Sequence, residues 1–62
     1  MFIKVKGRYG GCDEQEMIIN TNEITRICRG YDGEISVLFN NGEVRLSDEE
    51  AKKIFNAIGV SL

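Results

Sequence analysis

Two short segments hold the residue types best suited to bind something. Gly7-Arg8-Tyr9-Gly10-Gly11 and Arg29-Gly30-Tyr31-Asp32-Gly33 share one vocabulary. Arginine offers a planar charged fork for phosphate or carboxylate, tyrosine a stacking face, and glycine a close approach to the backbone. Together they suit an anionic, nucleotide-like ligand or a peptide, with Arg8, Tyr9, Arg29 and Tyr31 as contacts. Neither segment matches a P-loop or a dinucleotide fingerprint, and no helix follows the first to aim its dipole at phosphate. The plainer alternative is that the glycines serve turns while the arginines and tyrosines lie over the surface.

Catalytic chemistry has little to work with. The chain has no histidine and only two cysteines, Cys12 and Cys28, with no Cys-x-x-Cys pair and no second ligand cluster. No metal and no cofactor is therefore expected, and no nucleophile–base pair is available unless a lysine or carboxylate serves as base. The acidic run Asp13-Glu14-Gln15-Glu16 lacks the spacing of a calcium loop and reads as a solvated segment. The reading is a non-catalytic protein.

At 62 residues there is room for one domain, residues 1–62, and its core buries only about 60% of the surface the unfolded chain exposes. Such a core usually needs a disulfide, a metal or a partner subunit. Whether the two cysteines pair is left open by the sequence, so the leading expectation is homo-oligomerisation. The opening Met-Phe-Ile-Lys-Val-Lys does not read as a signal peptide, and no apolar run approaches the roughly 20 residues that cross a bilayer. A cytoplasmic protein is expected, with no membrane partner. The formal net charge of −2 argues against nucleic acid as partner.

The elements that must position these residues follow from pattern. Phe2 to Lys6 alternates with period two, and Gly7 is expected to end that strand, leaving residues 7–15 as a loop. Glu16 to Ile19 is a short strand, and Asn20-Thr21-Asn22 a turn. A third strand runs from about Glu23 to Arg29, with Ile24 and Ile27 spaced for an irregular start, such as a single helical turn. Residues 30–33 form a loop, and Glu34 to Phe39 a strand with Ile35, Val37 and Phe39 on one face. Asn41-Gly42 signals a type I′ hairpin, pairing Asn40 with Glu43, Phe39 with Val44, Leu38 with Arg45, and Val37 with Leu46.

Ser47-Asp48-Glu49-Glu50 has the form of a capping box opening a helix. Ala51, Ile54, Phe55 and Ile58 make its buried stripe, Asp48/Lys52 and Glu49/Lys53 sit four apart, Gly59 with Val60 supplies a Schellman-type end, and Ser61-Leu62 is a short tail. The fold class is α+β: a small antiparallel β-meander of four or five strands packed against one C-terminal α-helix.

Alternation also divides the sheet by chemistry. With Ile3, Val5, Ile27, Val37 and Leu46 facing the helix, Phe2, Lys4, Lys6, Arg26, Leu38 and Arg45 face away. That outer face is mostly basic, with two apolar residues, and could take an anion or form a subunit contact; solvated lysines also discourage aggregation. Lys4, Lys6 and Arg26 join the four loop residues as candidate contacts. The loop residues can cooperate in one site only if the first and third strands ascend together and place both loops at the same sheet end.

Ile19-Asn20-Thr21-Asn22-Glu23-Ile24-Thr25-Arg26-Ile27, then Val37-Leu38-Phe39-Asn40-Asn41-Gly42-Glu43, then Ser47 and a helix, resembles the FlbD family of small bacterial flagellar proteins over most of the chain. The resemblance implies a regulatory or adaptor protein acting by protein contact. The same stretch is similar to the end of a LytTR DNA-binding domain, which implies DNA binding; this chain differs in being acidic and too short for that whole domain. Beside these stands the reading drawn from the residues, a small homo-oligomeric binding protein, of the size of bacterial and phage antagonists, that sequesters an anionic nucleotide-like ligand or blocks a partner protein.

Overall fold

The alternation that begins at Phe2 does not stop at Gly7. In the computed structural model, which describes residues 1–60, the first strand runs on as β1 (Phe2–Tyr9), followed by β2 (Gln15–Asn20), a 3₁₀ turn (Thr21–Glu23), β3 (Ile24–Arg29), β4 (Ile35–Phe39), β5 (Gly42–Leu46) and helix α1 (Asp48–Ile58). The five strands form one antiparallel sheet in the order β2-β1-β5-β4-β3, with the helix packed on β1 and β5. The α+β class and the meander with its C-terminal helix are thus observed. The expected Ser61-Leu62 tail lies outside the described residues.

Gly7 is a packing residue, not a strand terminator. An ideal Cβ there would lie 2.3 Å from Leu46 Cδ2 and 2.8 Å from the Arg45 carbonyl oxygen. Only hydrogen in that place lets β1 cross from one neighbour to the next: residues 2–7 pair with β2, while Arg8 and Tyr9 pair with Arg45 and Val44 of β5. The first loop shrinks accordingly, and Arg8 and Tyr9 become strand residues.

The third strand has the irregular start its spacing predicts. Asn20 accepts a hydrogen bond from the Asn22 N–H at 3.1 Å, which opens the 3₁₀ turn, and a register shift lies between Ile24 and Arg26. The hairpin between β4 and β5 keeps the expected two-residue loop, but its pairing is shifted by two residues. Phe39 pairs with Gly42, Leu38 with Glu43, Val37 with Val44 and Ile35 with Leu46, so the loop is Asn40-Asn41. Neither asparagine has positive φ, and neither does Gly42, which rules out a type I′ turn. Because the shift is even, the apolar residues keep their face. Gly42 is there for a different reason: a Cβ would come within 2.9–3.4 Å of the Tyr9 ring and hydroxyl.

The core is Val5, Ile19, Ile35, Val37, Val44, Leu46, Ala51, Ile54 and Phe55, with Ile3, Met17, Ile24, Ile27 and Phe39 packed against it. Ile58, expected in the helix stripe, is 39% exposed, since the helix ends there and turns away. Gly59, at φ 79°, donates to the Phe55 carbonyl at 2.9 Å and Val60 donates to the same oxygen at 3.2 Å, so the expected Schellman-type end has its 6→1 bond but the 5→1 bond of an αL cap in place of 5→2. Leu38, on the outer face, is half-buried.

The capping box is only half made. Ser47 Oγ accepts from the Glu50 N–H at 3.3 Å, but the Glu50 carboxylate reaches across to the sheet and accepts the Lys6 N–H at 2.8 Å and Lys53 Nζ at 2.9 Å. The expected i,i+4 ion pairs give way to this i,i+3 pair and to Arg29–Asp48. Glu50 thereby supplies the acceptor that β1 loses where β5 departs. The Lys6 N–H, followed by Lys53, holds the Glu50 carboxyl below its usual pKa. A depressed folded-state pKa stabilises above the unfolded value near 4.3 and loses that contribution as pH falls through the folded value. Glu50→Gln should therefore melt below the parent at pH 7, with the gap closing as pH drops below about 4. A gap that stays constant from pH 7 to pH 3 would refute the link.

Candidate functional site

Strand directions separate the two glycine-rich loops. With β5 and β4 between them, β1 and β3 run in opposite directions, so the loops that follow them leave the sheet at opposite ends, contrary to the shared end expected. A contact between the two segments nevertheless exists, because Arg8 lies on the strand. Arg8 donates to Glu34, the residue that leads from the second loop into β4. Hydrogen bonding and charge from Glu34, with further help from Glu14 and Asp32, raise the Arg8 pKa and secure its positive charge.

Alternation then sorts the four loop candidates. Arg8 lies on the outer sheet face, while Tyr9 lies on the inner face over Gly42. Arg29 pairs with Ile35, on the face that carries the helix, and donates to Asp48 Oδ1 at 2.8 Å at the helix start. Tyr31, fully exposed, lines a hollow of about 250 Å³ together with Gly30, Asp32, Ser36, Arg45 and Glu34, the partner of Arg8. The Asp32 carboxylate shapes that loop by accepting the Glu34 N–H at 3.1 Å.

Arg45 is the residue that sequence reasoning placed on the outer face but did not single out. It stands directly opposite Arg8 in the β1–β5 pair and opposite Ser36 in the β5–β4 pair. Like charges facing each other across strands are destabilising unless something offsets them. Its contact to Glu43 is 3.7 Å, beyond a hydrogen bond. Arg45 also lines a second hollow of about 380 Å³ with Tyr9, Gly10, Gly42 and Glu43, so it separates two depressions on either side of one strand. Only the β1–β5 pairing, which joins residues far apart in sequence, could have revealed its partner.

The remaining basic candidates lie farther along the same face. Lys4 is 3.7 Å from Glu16, and Lys6 and Arg26 are exposed with no ion pair among the described residues. A third hollow, about 460 Å³, opens on the inner face between Tyr9, Met17, Ile19, Phe39 and Val44, rimmed by Asn20, Glu23, Asn40 and Asn41. Cys12 and Cys28 are exposed free thiols. Among the described residues no helix is long and apolar enough to cross a membrane. Compared with protein-family models, curated proteins and solved structures, the chain matches none.

Proposed function

We propose that this chain is a small non-catalytic binding protein that associates with itself and takes an anionic, nucleotide-like ligand on its outer sheet face. The observation that carries the reading is the facing pair Arg8 and Arg45 beside the exposed Tyr31. Two guanidinium groups on adjacent strands offer donors that a phosphate between them could share, and its charge would offset the repulsion between them. Tyr31 offers a face for a base, and the Ser36 hydroxyl is a further donor in the same hollow. Glu34 competes with the ligand for Arg8.

Calorimetry against nucleotides and cyclic dinucleotides tests this. Each charge-assisted hydrogen bond is worth about 1.5–3 kcal/mol, so Arg45→Ala should weaken binding about tenfold or more. Glu34→Gln, which frees Arg8, should tighten it, and Lys52→Ala, on the exposed side of the helix, should leave it alone. If no nucleotide binds, or if Arg45→Ala binds like the control, the reading fails. The FlbD-like alternative, an adaptor acting through protein contact, would then be favoured by capture of a protein partner that Arg45→Ala does not release.

A further inference from the structure

The sheet has two edges, and they differ in a way that bears on self-association. An open edge is a row of unpaired N–H and C=O groups, and proteins usually blunt it with a bulge, a proline or charges. The β3 edge is blunted: its register shifts between Ile24 and Arg26, and the strand carries two arginines, Arg26 and Arg29. The β2 edge has neither a bulge nor a proline, and its one charge is Glu16, 3.7 Å from Lys4 of the neighbouring β1. It pairs with β1 through six consecutive residues without a shift, and its sequence Gln-Glu-Met-Ile-Ile-Asn holds no proline and no basic residue.

Hydrogen-bond alternation fixes which groups of β2 face outward. Thr21 donates to the Met1 carbonyl at 2.8 Å, so the pairs related by two residues, Ile3 with Ile19 and Val5 with Met17, are the hydrogen-bonded ones. The Lys6 N–H points away from β2, to Glu50, which agrees with that phase. The backbone groups of Glu16, Ile18 and Asn20 are therefore directed out of the sheet. On the outer face above them, Ile18 and Phe2 are each 70% exposed.

We infer that this edge is the self-association surface, with β2 pairing antiparallel to β2 of a second copy about a two-fold axis at Ile18. The inference rests on the proposal that the chain associates with itself and names where it does so. In this register Ile18 meets Ile18 of the second copy as a hydrogen-bonded pair, Met17 meets Ile19, and Glu16 meets Asn20. Apolar residues thus oppose apolar ones, and no like charges face each other. A two-fold axis at Met17 would instead set Glu16 against Ile18. The Ile18-centred pairing joins two five-stranded sheets into one continuous sheet and leaves the Arg8–Arg45 face of each copy open to solvent.

The test combines light scattering with a register-specific cross-link. The parent should be a dimer, and Ile18→Lys, a change at an exposed side chain, should be a folded monomer with the parent's circular dichroism. In a Cys12→Ser, Cys28→Ser background, Ile18→Cys should form a disulfide-linked dimer on mild oxidation, since Cα atoms about 5.5 Å apart across a hydrogen-bonded pair are within disulfide reach. Ile58→Cys in the same background should not. A parent that is monomeric at all micromolar concentrations overturns self-association altogether. A dimer that persists in Ile18→Lys, or that fails to cross-link through Ile18→Cys, overturns this interface while self-association stands.

Discussion

Gly7→Ala should lower the melting temperature by about 10–15 °C, since overpacking a filled core costs about 2 kcal/mol and each kcal/mol moves a domain of this size by several degrees. Two effects compete. Gly7 does not have positive φ, so alanine is sterically allowed by the backbone and would gain about 0.4–1 kcal/mol by restricting the unfolded chain. Against it stands the new methyl group, 2.3 Å from Leu46 Cδ2 and 2.8 Å from the Arg45 oxygen. Leu46 is 1% exposed and has nowhere to turn, and the carbonyl belongs to the β1–β5 pairing itself. Repacking therefore outweighs the entropy gain. Gly11→Ala is the control, having nothing within 4 Å of its added carbon. A Gly7→Ala protein that melts at or above the parent would show that the crossing of β1 does not need glycine.

The second large effect is expected at Ile54, the larger of the two helix residues, with Ala51, that have no exposed surface. Truncation to alanine removes buried methylenes and leaves a cavity that a sheet on one side and a helix on the other cannot collapse, at a cost of about 2–5 kcal/mol. A 62-residue domain has a total stability of about 3–9 kcal/mol at typical values per residue. Ile54→Ala should thus be substantially unfolded at 37 °C by circular dichroism, whereas Ile58→Ala, at a position already 39% exposed, should lose about 1 kcal/mol or less. Equal melting curves for the two variants would mean that the helix stripe was assigned wrongly.

Local signals carried most of the architecture. The 3₁₀ start of β3, the serine cap, the glycine stop and the inward row Ile35, Val37, Val44, Leu46 all follow from spacing and side-chain chemistry within a few residues. What failed depended on partners distant in sequence. Gly7 looked like a breaker because its reason for being glycine, Leu46, lies on β5, and Gly42 looked like a turn residue because its neighbour, the Tyr9 ring, lies on β1. Arg8 and Tyr31 were legible as interesting residues. That they gather around Arg45 and Glu34, while Arg29 goes to Asp48 on the other face, depends on strand order, which residue patterns within a strand do not encode.

The β1–β5 seam also bears on how the chain can fold. It comprises only Arg8 with Arg45 and Tyr9 with Val44, contacts separated by more than half the chain. Bringing such distant segments together costs loop-closure entropy of a few kcal/mol, which two residue pairs with facing positive charges do little to offset. What offsets it is the burial of Val5 beneath α1 and the Glu50 carboxylate on the Lys6 N–H, both supplied by the last element of the chain. The N-terminal hairpin and the C-terminal meander are thus tied by the helix, and neither half holds a closed core without it. The sheet is one cooperative unit because its weakest join is completed from the opposite end of the sequence.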